Sequence, residues 1–133
     1  MHTCRPGGLQ LGHLLLQAGR DYVTFDRAAS AGSFFEKYPV HRTLISLNKR
    51  FSGRGEADFN LRHDWNSLLD NEAVAPMTAR TKARWPPADV LVQYLRDFAA
   101  PQEAGRRIRY NTSVVAIERA ADVAQPGSPT RSP

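Results

Sequence analysis

Residues 7–27 decide the fold: Gly7-Gly8-Leu9-Gln10-Leu11-Gly12-His13-Leu14-Leu15-Leu16-Gln17-Ala18-Gly19-Arg20-Asp21-Tyr22-Val23-Thr24-Phe25-Asp26-Arg27. Leu9, Leu11, Leu14, Leu15 and Leu16 predict a mostly apolar helix of about three turns, suited to burial against a sheet. Ala18-Gly19-Arg20-Asp21 ends it, because Gly19 takes the left-handed C′ conformation without a Cβ penalty. Tyr22, Val23, Thr24 and Phe25 are β-branched or aromatic and predict a buried strand. Asp26 follows 18 residues after Gly8. In a dinucleotide-binding βαβ unit an acid about 20 residues beyond the glycine turn grips a ribose hydroxyl. The pairing expected from this stretch is a helix N-terminus for a pyrophosphate and a carboxylate for a sugar.

The same stretch departs from the fingerprint. Thr3 and Arg5 stand where it has glycines, and Met1-His2-Thr3-Cys4 is too short and polar to be the strand that precedes them. The first glycine makes the tight turn and the second lets backbone approach the pyrophosphate. On pattern alone, a nucleotide-binding βαβ origin and a plain α/β packing unit both stand.

Residues 27–33 are a small-residue loop of the kind that lets a ligand approach backbone, and Phe34, Phe35 and Tyr38 follow before Pro39. Three aromatics this close fit core or lid packing better than a cofactor wall. Residues 43–47 predict a short strand with a polar, basic end at Asn48-Lys49-Arg50. Gly53, Gly55 and Asp58 mark residues 52–60 as loop. The run 59–69 has no clean period. His63 and Asp64 are adjacent, so in a strand they point to opposite faces, and no nucleophile stands at a meaningful spacing. Residues 70–84 are low in apolar content and predict loop or a marginal helix.

Pro87 opens a predicted helix over 88–100, with Val90, Leu91, Tyr94, Leu95 and Phe98 on one face. Pro101 is expected to stop it. Residues 107–117 predict a strand. Helix, short connection and strand make a second αβ step, which implies a parallel sheet. The segment 120–133 has three prolines after Gln125 and is expected to be a disordered tail. Residues 1–119 would then form the folded part.

With 133 residues the chain is one domain at most. Its +5 charge invites a nucleic-acid reading, but the Lys and Arg residues are scattered and no nucleic-acid-binding signature accompanies them. A solvated basic surface, partly serving an anionic cofactor, accounts for them. The one cysteine, Cys4, excludes an internal disulfide, a two-cysteine redox pair within the chain and a Cys-based zinc site. The four histidines show no metal-ligand spacing, so no metal is expected. No apolar run of membrane-spanning length exists, and the first residues lack the apolar core of a signal peptide.

Taken together, several stretches resemble the FAD-binding part of flavin monooxygenase-like oxidoreductases, most closely the branch of endoplasmic-reticulum flavoproteins associated with degradation. They are Gly8-Leu9-Gln10-Leu11-Gly12, Ala18-Gly19-Arg20-Asp21-Tyr22, Gly32-Ser33-Phe34-Phe35, Tyr38-Pro39 with His41-Arg42, and Leu44-Ile45-Ser46-Leu47-Asn48-Lys49-Arg50. The most distinctive is Phe59-Asn60-Leu61-Arg62-His63-Asp64-Trp65-Asn66-Ser67-Leu68-Leu69; Ala88-Asp89, Tyr94 to Ala99 and Tyr110-Asn111-Thr112 complete the match.

The resemblance implies an incomplete Rossmann-like α/β domain that binds FAD. It implies that Gly8 and its neighbour Leu9 meet the FAD pyrophosphate and that Asp26 binds the adenosine ribose. By the same resemblance Phe34 and Phe35 contact the cofactor, Asn48 faces the flavin ring with Lys49 beside it, and Val114 offers backbone to the adenine. A full-length relative is expected to pass electrons from NADPH to flavin and on to a disulfide or oxygen acceptor, in the endoplasmic-reticulum lumen. No NADPH domain resembling the family's follows residue 119. The expectation is therefore a truncated fragment, inactive alone and without its first strand; the alternative is a non-catalytic fragment that binds a protein partner.

Overall fold

The computed structural model describes residues 5–51, 53–54, 56, 59–60, 63–69 and 74–117. Thr3, Cys4 and the expected tail at 120–133 lie outside the described residues.

Helix α1, Pro6–Gln17, begins with proline at its first position, where the missing N–H would have had no intrahelical partner. It ends as its sequence predicts. Gly19 has φ +63°, the Arg20 amide donates to the Leu15 carbonyl at 2.9 Å, and the Gly19 amide donates to the Leu16 carbonyl at 3.0 Å. This is a Schellman closure, which satisfies carbonyls the helix leaves open. Strand β1, Thr24–Phe25, pairs in parallel with β2, Ile108–Arg109, in the register Thr24 to Ile108 and Phe25 to Arg109. Helix α2, Ser33–Lys37, starts from Gly32 in the left-handed region at φ +75°. A 3-10 turn over Lys49–Phe51 and a short helix α3, Met77–Arg80, precede α4, Ala88–Ala104. The described chain is a mixed helix–sheet structure compatible with an α/β fold.

Helix α4 is the centre, with α1, α2 and α3 all packed against it. Leu91, Tyr94, Leu95, Phe98 and Ala99 form its buried stripe, joined by Leu9, Ala31, Leu44, Met77 and Ile108. Burying a side chain of the Leu or Phe kind contributes roughly 1.5–3 kcal/mol, so this stripe carries the stability of the unit. Helix α1 meets α4 so closely that a Cβ on Gly12 would lie 2.1 Å from the Gln102 side-chain oxygen.

Four sequence expectations change. The buried strand expected over Tyr22 to Phe25 is only Thr24–Phe25, half-buried with Val23 exposed, because its one described neighbour is itself two residues long. Helix α4 continues through Pro101 to Ala104. Pro101 deprives the Asp97 carbonyl of a donor, yet the turn beyond it is held from outside. The Gln102 amide nitrogen donates to the Leu9 carbonyl at 3.1 Å and the Arg107 amide donates to the Gln102 carbonyl at 2.8 Å. Residues 43–47 are not a strand. Thr43 makes a single antiparallel bridge to Pro87, and the ladder stops there because Pro86 and Pro87 have no N–H to donate. The strand predicted over 107–117 is two residues long. The Thr112 amide still donates to the Asp26 carbonyl at 2.8 Å, but Asn111 turns the chain at φ +52° and Val115 beyond it is 97% exposed. Alternating apolar residues make a strand only beside a neighbour, and no described strand lies there.

Candidate functional site

Two cavities flank this core. The first lies beyond the C-terminal ends of the parallel strands. Asp26 is the residue after β1; its amide donates to the Arg109 carbonyl at 2.9 Å and its Oδ1 accepts the Ala28 amide at 2.8 Å. The carboxylate thus closes its own turn, a common use of aspartate at the end of a strand. It is only 4% exposed, yet it lines a cavity of about 580 Å³ with Arg5, Arg27 and residues 32–38. Arg5 is the cap residue of α1, so the start of that helix and the end of β1 open into one space. An aromatic wall completes it. Phe34 meets Phe35 edge-on at 5.2 Å and Tyr38 at a tilt at 5.2 Å, and the Arg5 guanidinium sits 5.0 Å above the Phe34 ring. Arg5, Arg27 and Lys37 supply positive charge, while Glu36 is paired with Arg96.

The second cavity, of about 560 Å³, is walled by residues 47–50 and 82–84, with Phe59 and His63. Asn48 joins its two walls. The Asn48 amide donates to the Arg84 carbonyl at 2.9 Å, and its side-chain nitrogen donates to the Thr81 carbonyl at 2.8 Å. His63 stacks on Phe59 with ring centres 4.2 Å apart, and its Nδ1 lies 2.8 Å from the Phe59 carbonyl.

The residues singled out in the sequence separate accordingly. Asp26, Phe34 and Phe35 share the first cavity; Asn48 and Lys49 share the second. Gly8 is half-buried in the first turn of α1, its amide donating to the Arg5 carbonyl at 2.9 Å. Leu9 is wholly in the core. Val114 is exposed and lines neither cavity. Sequence alone assigns no site role to Arg5, Arg27 and Lys37 in the first cavity or to Lys82 and Arg84 in the second, while it already groups Tyr38 with Phe34 and Phe35. Lys82 and Arg84 had a usable signal, because a spacing of two in extended chain puts side chains on one face.

The distinctive run at 59–69 is built as scaffold where it is described. Asp64 is buried and accepts the amides of Asn66 and Ser67 at 3.1 and 3.2 Å, together with the Ser67 hydroxyl. Ser67 Oγ in turn accepts the Met77 amide at 2.8 Å. The Leu68 amide donates to the Tyr94 hydroxyl at 2.7 Å, and the Leu69 amide donates to the Gln10 side chain at 2.6 Å. His63 bonds elsewhere, so the adjacent His63 and Asp64 make no dyad. Among the described residues no group of His, Cys, Asp or Glu side chains is arranged to hold a metal ion, and no helix is long and apolar enough to cross a membrane.

A helix leading to a parallel strand pair, with a carboxylate and cations beyond the strand ends, is compatible with an α/β fold. By sequence the chain is similar to proteins named for an FAD-dependent oxidoreductase domain. The chain is 46% identical over 112 residues to mouse (Mus musculus) "FAD-dependent oxidoreductase domain-containing protein 2", and 43% identical over 113 residues to the zebrafish (Danio rerio) protein of the same name. These matches cover 84% and 85% of this chain and 16% of each relative. They support kinship with an FAD-dependent oxidoreductase family. No family model matches the chain, and no solved structure matches it.

Proposed function

We propose that this chain forms part of a Rossmann-like FAD-binding domain of a flavin monooxygenase-like oxidoreductase and binds the adenosine diphosphate portion of FAD. One observation carries the reading: Asp26, at the end of a parallel strand, shares a cavity with Arg5 at the start of α1. The residues there suit the group in kind. Asp26 would hold the ribose hydroxyls, and Arg5, Arg27 and Lys37 would neutralise the diphosphate. Arg5 stands where the dinucleotide fingerprint has a glycine, so its guanidinium takes over from backbone as the diphosphate donor. Phe34 and Phe35 give an apolar face for the cofactor. Asn48 and Lys49 would lie toward the flavin ring, and Val114 toward the adenine. Bound FAD supplies two-electron redox chemistry at its isoalloxazine ring; the chain's own part is to bind and orient it.

Electron supply from NADPH, transfer to a disulfide or oxygen acceptor, and residence in the endoplasmic-reticulum lumen belong to the same proposal, through kinship with degradation-associated flavoproteins. We expect the chain alone to oxidise no NADPH. Titration with FAD, followed by flavin fluorescence and by the visible absorbance of protein-bound flavin, tests the reading. No bound flavin at high micromolar concentration overturns it.

A second reading, a non-catalytic unit that binds a protein partner, draws on the apolar side of α1. Leu11 and Leu14, one turn apart, are both exposed. Flavin-free association of the chain in sedimentation experiments would favour it.

A further inference from the structure

We propose that the second cavity is a binding site for a small phosphate-bearing anion. The inference does not rest on the FAD reading. That reading is carried by the cavity at the strand ends and reaches this one only through Asn48 and Lys49, whereas the charge argued from here is that of Lys82 and Arg84 beside Lys49. Among the described residues the lining carries Lys49, Arg50, His63, Lys82 and Arg84 and no carboxylate. Lys49, Lys82 and Arg84 make no ion pair among the described residues; the ion pairs use Arg42, Arg80, Arg96 and Arg107. Like charges gathered in a concave space repel one another unless an anion sits among them, and low-dielectric walls focus their field on that space.

The cations are also held in place by their backbone. Asn48 bonds to the carbonyls of Thr81 and Arg84, and Thr81 Oγ1 accepts the Ala83 amide at 3.1 Å. Asn48 Oδ1 accepts the Arg50 amide at 3.3 Å. These bonds fix the segment carrying Lys49 and Arg50 against the segment carrying Lys82 and Arg84. The stems of Lys49, Lys82 and Arg84 therefore stand around one space before any ligand arrives, which lowers the ordering cost of binding. Lysine ammonium groups beside an arginine fork suit a phosphate better than a carboxylate, because phosphate offers more acceptor oxygens and more charge. The concavity of about 560 Å³ admits a small anion and not a nucleic-acid duplex. The stacked Phe59 and His63 rings give it one flat aromatic side.

The test is calorimetric titration of the whole chain with inorganic pyrophosphate at low ionic strength, with amide NMR shifts recorded in parallel. The expected result is saturable binding with shifts at residues 48–50 and 82–84. Lys82→Gln with Arg84→Gln should weaken it at least about tenfold, since a hydrogen bond to a charged group is worth one decade or more of affinity. Arg20→Gln with Arg106→Asn, which removes the same charge from exposed positions elsewhere, should leave it within about twofold. ADP titrated into the Asp26→Asn chain separates the sources. Tighter binding than pyrophosphate assigns a phosphate carried on a nucleotide, equal binding a free phosphate, and either supports the site. Equal loss in both charge-reduced variants, shifts confined to Arg5 and Arg27, or binding of an oligonucleotide without pyrophosphate would overturn it. Because FAD titration reads Asp26 and this titration reads Lys82 and Arg84, either proposal can fail alone.

Discussion

The two cavities are built on opposite plans. The one beyond the strand ends mixes charge signs and grows from regular structure: a helix start, a strand end and a buried carboxylate. The one at Asn48 gathers cations of one sign on irregular chain, pinned by a single asparagine. The first plan suits a group with hydroxyls and negative charge together; the second suits a purely anionic one. A site on regular elements inherits the stiffness of the core, whereas a site on loops depends on a few polar ties.

That difference can be broken at four strengths. Phe98→Ala removes a ring at the centre of the stripe on α4 and should cost about 3–5 kcal/mol in urea unfolding. Both cavities should then fail together, because α4 carries α2 beside the first and α3, which meets the 3-10 turn of the second. Asn48→Ala leaves the Thr81 carbonyl without a partner and should cost about 1–3 kcal/mol. Hydrogen exchange should accelerate at residues 81–84 and stay slow at β1 and β2; acceleration spread evenly over the chain would erase the contrast.

Asp26→Asn keeps an oxygen for the Ala28 amide but changes a buried group, so stability should fall by about 1 kcal/mol. FAD affinity should also fall about tenfold, read by fluorescence titration, as a hydroxyl loses its charged partner. The smallest effect lies on α4, away from both cavities. Burial pushes the Asp97 carboxyl up, but hydrogen bonds from Arg80 and Gln93 and the Arg80 charge outweigh it and hold the carboxyl below the usual range. A carboxyl depressed in the folded state stabilises above its unfolded pKa, near pH 4, and loses that contribution as pH falls through the folded value. Asp97→Asn should therefore lower the unfolding midpoint at neutral pH by about 0.2–1 kcal/mol and have no effect in strong acid, since the pair is partly solvated.

The helices were legible because their signals are local. Gly19 and the stripe from Leu91 to Phe98 each act within a few turns, and the structure follows them. The leucines of α1 give the helix, but of the five only Leu9 is buried, and Leu11 and Leu14 are exposed. The passage through Pro101 was not, because what sustains it is a bond from Gln102 to a carbonyl 93 residues earlier. Strand length was misjudged for a similar reason: Val114, Val115 and Ile117 have strand-forming side chains but no described neighbour to pair with. In the strand-end cavity Asp26 stood out by spacing, while Arg5 registered only as a missing glycine. Lys82 and Arg84 disappeared into a count of scattered charges until the fold of 44–51 against 81–88 brought them beside Lys49.

Gln102 has a further consequence. Its nitrogen serves the Leu9 carbonyl and its oxygen accepts the Tyr22 hydroxyl at 3.3 Å, so one amide is clasped from both ends. Burial raises the Tyr22 pKa despite the opposing charge of Arg107, and the hydroxyl keeps its proton throughout the neutral range. If α1 slid along α4 by a single turn, the buried Gln102 amide and the Leu9 carbonyl would be stranded away from water. The clasp therefore acts as a detent, admitting one longitudinal setting of the two helices.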